Sequence, residues 1–420
     1  MFFSGSSTQT KANEVLSEPP SLFEENEKLN LNYINQFSDY FDGQYGLRNL
    51  MITLDHQLTA AIFGESAENK VILGKDGWLF YEETLDDFEG TNVMSERDVY
   101  ATAKVISLID EYYSKKGIDF AFTVAPNKNS LYPDKMPGYY PKNRGVSNAK
   151  LIHKALTQTD VKDIDLFEAF KNEDKPLYRK TDSHWTFEGA GLASDTILKA
   201  LGKKFAPYYG SETNEKKAET ADLYEMLYPV GVNSDTETEY TRKFNYTYER
   251  PIRSVEDNFI RTASESGNGN LFMFRDSFGN SLYHFMAGEF SRAVFCRLMP
   301  YNLTLAENEK ADTVVIEIVE RNIEWLISKG VIFPAPERNI NLSETKNITS
   351  DSELSMSESD ELINYIRIEG TIQNSSPETK TDIYIETNGK IYEATPGDNG
   401  RFYAYVPTVE NTEQVSVFTK

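Results

Sequence analysis

Cysteine is nearly missing from this chain of 420 residues: Cys296 stands alone, so no internal disulfide framework and no cysteine-built metal site can hold the fold. It lies in the apolar run Val294-Phe295-Cys296 and reads as a buried thiol. Basic residues are also short, with 43 Lys and Arg against 66 Asp and Glu and a net charge of -23. So acidic a surface repels phosphate backbones and anionic lipid headgroups, which excludes nucleic acid as a partner. No apolar run is long enough to span a bilayer, and Met1-Phe2-Phe3-Ser4 is too short for a signal h-region. What is present in quantity is ordinary globular material, 39% hydrophobic and 13% aromatic, in a chain long enough for a large core and more than one domain.

Residues 1 to 20 are polar and read as a flexible lead. From Ser21 to Ile62 a helical period dominates, with Leu29, Tyr33, Phe37 and Tyr40 in register. Val71 to Tyr81 predicts a hairpin around Lys75-Asp76-Gly77. Ser95 caps a helix that Gly117 closes, Ile118 to Val124 is a strand, Ser147 opens a helix through Leu156, Ile164 to Phe167 is a short strand, and Gly189 to Leu201 is a helix. Leu271 to Phe274, Ala293 to Arg297 and Thr313 to Val319 resume the strands. This alternation predicts a three-layer α/β domain with a mainly parallel sheet. Residues 205 to 268 are irregular and read as an insertion or surface excursion. Polar residues 336 to 361 read as a linker to a small C-terminal β-sandwich at 362–420. Its strand candidates are Tyr365 to Gln373, Asp382 to Thr387, Lys390 to Ala394, Arg401 to Pro407 and Gln414 to Thr419, with Asn388-Gly389 as a type I′ turn. Tyr384, Tyr392, Tyr403 and Tyr405 are candidates either to stack on sugar rings or to pair across strands.

Two short motifs supply an acid, a base and a nucleophile: Thr181-Asp182-Ser183-His184-Trp185 and Phe274-Arg275-Asp276-Ser277-Phe278-Gly279. A serine hydroxyl needs a histidine to take its proton and a carboxylate to fix that histidine's tautomer. Ser277 falls between a strand and a helix start, where backbone amides face a developing oxyanion; an Asp-Ser pair there is equally an ordinary helix cap. Asp182 and His184, two apart, can project from one face of an extended segment. Of the four histidines, His153 reads as a surface residue, His56 lacks a neighbouring nucleophile motif, and His284 sits seven positions past Ser277 in a packing role. Asp182 and His184 could also ligate a metal, but no second histidine or acidic cluster at ligand spacing accompanies them.

Gly74-Lys75-Asp76-Gly77-Trp78-Leu79-Phe80-Tyr81, Val124-Ala125-Pro126-Asn127-Lys128 with Tyr132-Pro133, the Asp182 motif, the Ser277 motif, and Val314-Val315-Ile316-Glu317 with Glu320-Arg321 occur in this order. The series resembles the DHHW proteins and alginate O-acetyltransferases, which carry an SGNH-hydrolase-like domain. It covers roughly residues 40 to 330, placing the domain within 21–335. The resemblance implies a Ser277, His184, Asp182 triad without a metal or cofactor. Ser183 stands where the family motif has a first histidine. Arg321 and Asn322 end a strand-like run and are candidates to line the cleft, an ion pair being Arg321's alternative use. Lys128, Tyr132, Trp185 and Arg275, within the same motifs, are the other substrate-binding candidates.

The implied activity is transfer of an acetyl group, through an acetyl-serine, to hydroxyls of an extracellular polysaccharide. The resemblance further implies a membrane-bound O-acyltransferase partner as acetyl donor and a place outside the cytoplasmic membrane behind an N-terminal anchor. The tyrosines on its strands make the C-terminal β-domain a candidate carbohydrate-binding module. A carbohydrate O-acetylesterase uses the same triad with water as acceptor, and a catalytically silent polysaccharide-binding scaffold is the alternative from another class.

Overall fold

The computed structural model describes residues 20–22, 30, 32–36, 48–143, 145–171, 173–218, 221–373, 375–408 and 415–420. The expected flexible lead at 1–19, with Leu29, Phe37, Tyr40 and Gln414, lies outside them. Two units emerge. The smaller comprises residues 1–69 and 224–232; it contains α1 (Arg48–Phe63), whose His56 Nδ1 meets the Leu227 carbonyl at 2.7 Å.

The larger unit, 70–223 with 233–420, opens with the predicted hairpin, β1 (Val71–Leu73) paired antiparallel with β2 (Leu79–Tyr81). Asp76 and Gly77 take left-handed φ of 56° and 78° to close it. Ser95 caps α2 (Glu96–Ser114), accepting from the Asp98 amide. The chain continues through β3 (Asp119–Ala125), α3 (Lys128–Leu131), α4 (Asn148–Leu156), β4 (Asp163–Ile164), α5 (Leu166–Phe170) and α6 (Phe187–Ala200). Phe167, expected in a strand, is helical because the Asp165 carboxylate accepts the Glu168 amide and starts α5 early.

The hairpin β5 (Thr213–Lys217) and β6 (Thr236–Tyr240) precedes β7 (Thr247–Tyr248), β8 (Phe259–Ala263), β9 (Asn270–Phe274), α7 (Gly279–Ala287), β10 (Arg292–Cys296) and β11 (Thr313–Val319). The seven-stranded sheet runs β4-β3-β11-β9-β10-β8-β7. Its first five strands are mutually parallel, and β8 pairs antiparallel with both β10 and β7, so the sheet is mixed. The segment expected as an insertion therefore contributes the last two strands, β8 and the edge strand β7; their half-polar sequences match the rim of a sheet, where only one face is fully covered.

Alternate strand residues feed two cores. Leu271, Met273, Ala293, Phe295 and Val315 join α6 and α7 on one face. Phe272, Phe274, Val294, Cys296, Val314 and Ile316 join α2 and α4 on the other. That double burial explains why Thr313–Val319 is buried at every position.

The C-terminal part holds β12 (Ser352–Glu358), β13 (Tyr365–Ile372), β14 (Ile383–Thr387), β15 (Lys390–Glu393), β16 (Arg401–Pro407) and β17 (Ser416–Thr419). They lie in a five-stranded and a four-stranded sheet, with short strands at Glu337–Arg338, Lys346–Asn347 and Thr395–Pro396 completing them. Asn388 and Gly389 have φ of 54° and 71°, as a type I′ turn requires. Residues expected as a linker supply three strands, because pairing at a sheet edge uses backbone groups and Ser-Glu-Leu-Ser-Met-Ser-Glu needs no apolar face.

The four tyrosines considered for sugar stacking are buried: Tyr384 and Tyr392 at 7% exposure, Tyr403 at 6% and Tyr405 at 3%. Tyr403 lies at the seam with the α/β part, its hydroxyl accepting the Val331 amide at 2.6 Å. A polar lattice holds the same seam. The Tyr100 hydroxyl donates to Asp382 at 2.7 Å, Lys104 bridges Asp382 and Glu393, and Arg338 bridges Glu111 and Glu393.

Candidate active site

The loops that follow the parallel strands gather the sequence motifs at the strands' carboxyl ends, the usual site position in such sheets. Asn127 and Lys128 follow β3, Ser277 follows β9, and Glu320, Arg321 and Asn322 follow β11.

His184 owes its orientation to Asp182. Asp182 Oδ1 lies 2.9 Å from His184 Nδ1 and also accepts the His184 backbone amide at 3.0 Å. Oδ2 accepts from Arg179 Nη1 and from the Asp222 amide, both at 3.1 Å. With Nδ1 donating to the carboxylate, Nε2 is the acceptor nitrogen of the neutral ring. It is buried and has no hydrogen-bond partner among the described residues. Burial opposes the charged imidazole, but Asp182 and Asp222 outweigh it and raise His184 above its ordinary value. Burial would likewise raise Asp182; the His184 and Arg179 contacts overcome it and hold that carboxyl well below the usual range.

Asp222 is a part of this assembly that the motifs do not reveal. It stands 3.6 Å from His184 Nδ1, accepts the Ser183 amide at 2.7 Å, and takes a hydrogen bond from the Ser183 hydroxyl. Burial and the neighbouring Asp182 raise its pKa. Ser183, the departure from the family motif, thus fastens the second carboxylate to the loop. Asp182, His184 and Asp222 offer ligand atoms within 4.8 Å of one another. Their oxygens already accept from amides, Arg179 and Ser183, an arrangement suited to orienting an imidazole rather than a cation.

Ser277 is half-buried in a turn fastened by the residue before it. Asp276 Oδ1 accepts the Phe278 amide at 2.9 Å, and Oδ2 accepts the Val319 amide at 2.7 Å. Asp276 thus closes the turn ahead of the helix, and the capping reading does not hold: α7 has its N-cap at Phe278, with no side-chain cap from either Asp276 or Ser277. Phe278 packs on His184 with ring centroids 5.0 Å apart, bringing the two motifs together. Beneath the turn, Glu317 is fully buried and its Oε2 accepts the Asp276 amide at 3.3 Å. Burial, then Asp276, push its carboxyl well above the ordinary range.

The six substrate-binding candidates divide. Arg321 is half-buried, its guanidinium 5.4 Å from the Tyr81 ring and 5.7 Å from Phe278. Among the described residues no ion pair is formed by it, and its charge acts on His184. Asn322 is buried beside it. The other four serve the scaffold instead of facing a ligand. Lys128 Nζ donates to the carbonyls of Leu79, Lys180 and Asp182 at 2.6, 2.8 and 2.9 Å, and burial pushes it down to about 7. Tyr132 accepts the Leu177 amide at 2.7 Å. Trp185 Nε1 donates to Ser281 Oγ at 2.7 Å. Arg275, 1% exposed, donates to Asn280 Oδ1 at 2.6 Å and the Val255 carbonyl at 2.7 Å. Each lies inside a recognisable motif because the motif must fold, which is why sequence alone grouped them with the site.

Residues 71–263 match the family described as SGNH hydrolase-like domain, acetyltransferase AlgX. The matched residues of the α/β part are similar to that domain. The matched span includes Asp182 and His184 and ends before Ser277. The chain is similar to a protein named probable alginate O-acetylase AlgJ from Pseudomonas syringae pv. tomato, 25% identical over 185 residues, 43% of this chain and 46% of that protein. It spans about half the length of the curated relatives it matches. Among solved structures, a DHHW family protein from Eubacterium siraeum aligns at TM-score 0.44 and 14% identity over 60% of this chain and 94% of that one. The O-acetyltransferase domain of Pseudomonas putida AlgJ aligns at TM-score 0.42 and 17% identity, over 60% and 91%. Among the described residues, no helix is long and apolar enough to cross a membrane.

Proposed function

We propose that the protein is an O-acetyltransferase that moves an acetyl group through an acetyl-serine at Ser277 to hydroxyls of a polysaccharide. The observation that carries this reading is His184: its Nδ1 is bound to Asp182 at 2.9 Å while Nε2 stays buried and unpartnered, with Phe278 at 5.0 Å joining it to the serine turn. That is the arrangement a general base needs. The names of the curated relatives support acetyl as the group and a polysaccharide as acceptor.

In the first half-reaction the Ser277 hydroxyl gives its proton to Nε2 as Oγ attacks the acetyl carbonyl. The oxyanion develops at the start of α7, where backbone amides and the unpaired Arg321 charge favour it. Collapse expels the donor's leaving group, which takes the proton back from Nε2, and leaves an acetyl ester on Ser277. A sugar hydroxyl then attacks that ester, delivering its own proton to Nε2; the ester forms on the sugar and Ser277 Oγ regains a proton from His184. No cofactor or metal enters this sequence. The reading places the donor with a membrane-bound O-acyltransferase and the protein outside the cytoplasmic membrane.

Intact-protein mass spectrometry after incubation with an activated acetyl ester tests the chemistry. One added acetyl group in wild type, absent in Ser277→Ala, is expected. Equal leaving-group release from both proteins, with no adduct, would remove Ser277 from the mechanism. Loss of the adduct to water at the same rate with and without acceptor glycan would make the protein an esterase.

A further inference from the structure

A concavity of about 500 Å³ lies against the two helices that follow the base and the nucleophile in the chain, α6 and α7. Phe187, the first residue of α6, follows His184 by three positions, and His284 stands on α7. From Gly279 to His284 the helix advances about 8 Å, so the groove begins within a short polymer segment of the serine turn. Its other wall comes from the strand segment after β6, with Arg242, Lys243, Tyr246 and Tyr248.

Three properties of this groove point to one ligand class. The first is flat aromatic surface: Tyr248 is 39% exposed, and Phe187, Phe244, Tyr246 and His284 form a continuous aromatic floor in which Phe244 stacks on His284 at 5.4 Å. Such faces suit the apolar side of a sugar ring. The second is a floor that carries no charge of its own. Tyr246 Oη meets His284 Nδ1 at 2.6 Å, and burial, then Arg275, lower the imidazole to about 4. The third is local charge. Lys216 is tied to Glu239 at 3.7 Å, but Arg242 and Lys243 form no ion pair among the described residues. Arg242 is held in place by stacking 3.3 Å over Tyr208 and by Nη2 donating to the Ala206 carbonyl at 2.9 Å, while its buried Nε has no partner. On a chain of net charge -23, two unpaired cations beside an aromatic floor are a local exception that attracts anions.

We propose that this groove is an acceptor subsite that binds an acidic segment of a glycan chain, carboxylates on Arg242 and Lys243 and sugar faces on the aromatic floor, and so presents a neighbouring unit to Ser277. The acceptor role rests on the transferase reading; the binding itself does not.

The test uses the full chain carrying Ser277→Ala, titrated calorimetrically at low salt with hexameric oligogalacturonate, and with cellohexaose as the neutral control. Binding of the acidic hexamer only, weakened about tenfold by the exposed change Lys243→Glu and also by Tyr248→Ala, is the expected result. Lys346→Glu, an equal charge change on the C-terminal sheet, controls for the long-range field and should leave affinity as it was. Unchanged affinity in Lys243→Glu, or equal binding of cellohexaose, would overturn the proposal. So would equal weakening by Lys346→Glu. Thermal melts of each variant separate lost binding from lost folding. Charge-dependent binding by a protein that fails to form the Ser277 adduct supports the groove and overturns the transferase reading instead.

Discussion

The two halves of the site are held in opposite ways. Around His184 the fastening is done by charged side chains: Asp182 and Asp222 flank the ring, Arg179 backs Asp182, and buried Lys128 ties three carbonyls of the surrounding loops. Around Ser277 a single carboxylate, Asp276, grips two backbone amides above the buried Glu317. In the proposed mechanism the imidazole changes charge during turnover, and flanking carboxylates stabilise its protonated form. The serine must keep its place while staying uncharged at rest, and backbone clamps do that without adding a field.

The largest expected effects break the first half. Asp182→Asn removes the charge that fixes the tautomer and should lower kcat by about 10³ to 10⁴-fold with little change in KM, measured by steady-state acetyl release. Asp222→Asn acts only through Ser183 and through its field, so a fall of about tenfold is expected. A fall as large as that of Asp182→Asn would mean that Asp222 is the true orienting carboxylate.

The pH profile sharpens the same contrast. The base must be neutral, so the rate rises with pH, and because His184 lies above its ordinary 6.5 the midpoint of that limb should fall above 6.5. Asp222→Asn should move it down, whereas substitutions in the serine half should leave it in place.

In the second half the expected losses concern stability more than protonation. Glu317→Ala opens a cavity under the turn and should cost about 2–4 kcal/mol in urea unfolding. Glu317→Gln should fold and reveal a linkage. The native carboxyl is raised above its unfolded value of 4.5, so its contribution is fully present below pH 4.5 and is lost as pH rises toward the native pKa. The Gln variant should therefore lose stability less steeply than wild type between pH 5 and pH 8. The smallest effect is expected from Gly279→Ala. A Cβ there would stand 2.5 Å from Arg275 Cδ, overpacking worth about 1–3 kcal/mol; a neutral outcome would show that the turn yields.

Strand and helix periodicity was enough to place the central sheet, because its middle strands are covered on both faces and read as unbroken apolar runs. Edge pairing was not legible. Thr247–Tyr248 and Ser352–Glu358 pair through backbone groups and carry polar side chains, so they look like loops. In the site, Asp182, His184 and Ser277 stood out by their motifs. Asp222 could not, since it reaches the loop from 40 positions beyond Asp182 through amides and a serine hydroxyl. Lys128, Trp185 and Arg275 were visible but assigned to a ligand, because a sequence marks a constrained residue without saying whether its contacts are made within the fold or beyond it.

Cys296 offers a use unrelated to catalysis. It is the chain's sole thiol, wholly inaccessible on β10 beside the serine strand, with burial raising it to about 11. An alkylating reagent can reach it only when that part of the sheet opens. Its modification rate in native buffer is thus a built-in clock for opening of the strand layer behind Ser277, readable without introducing any label.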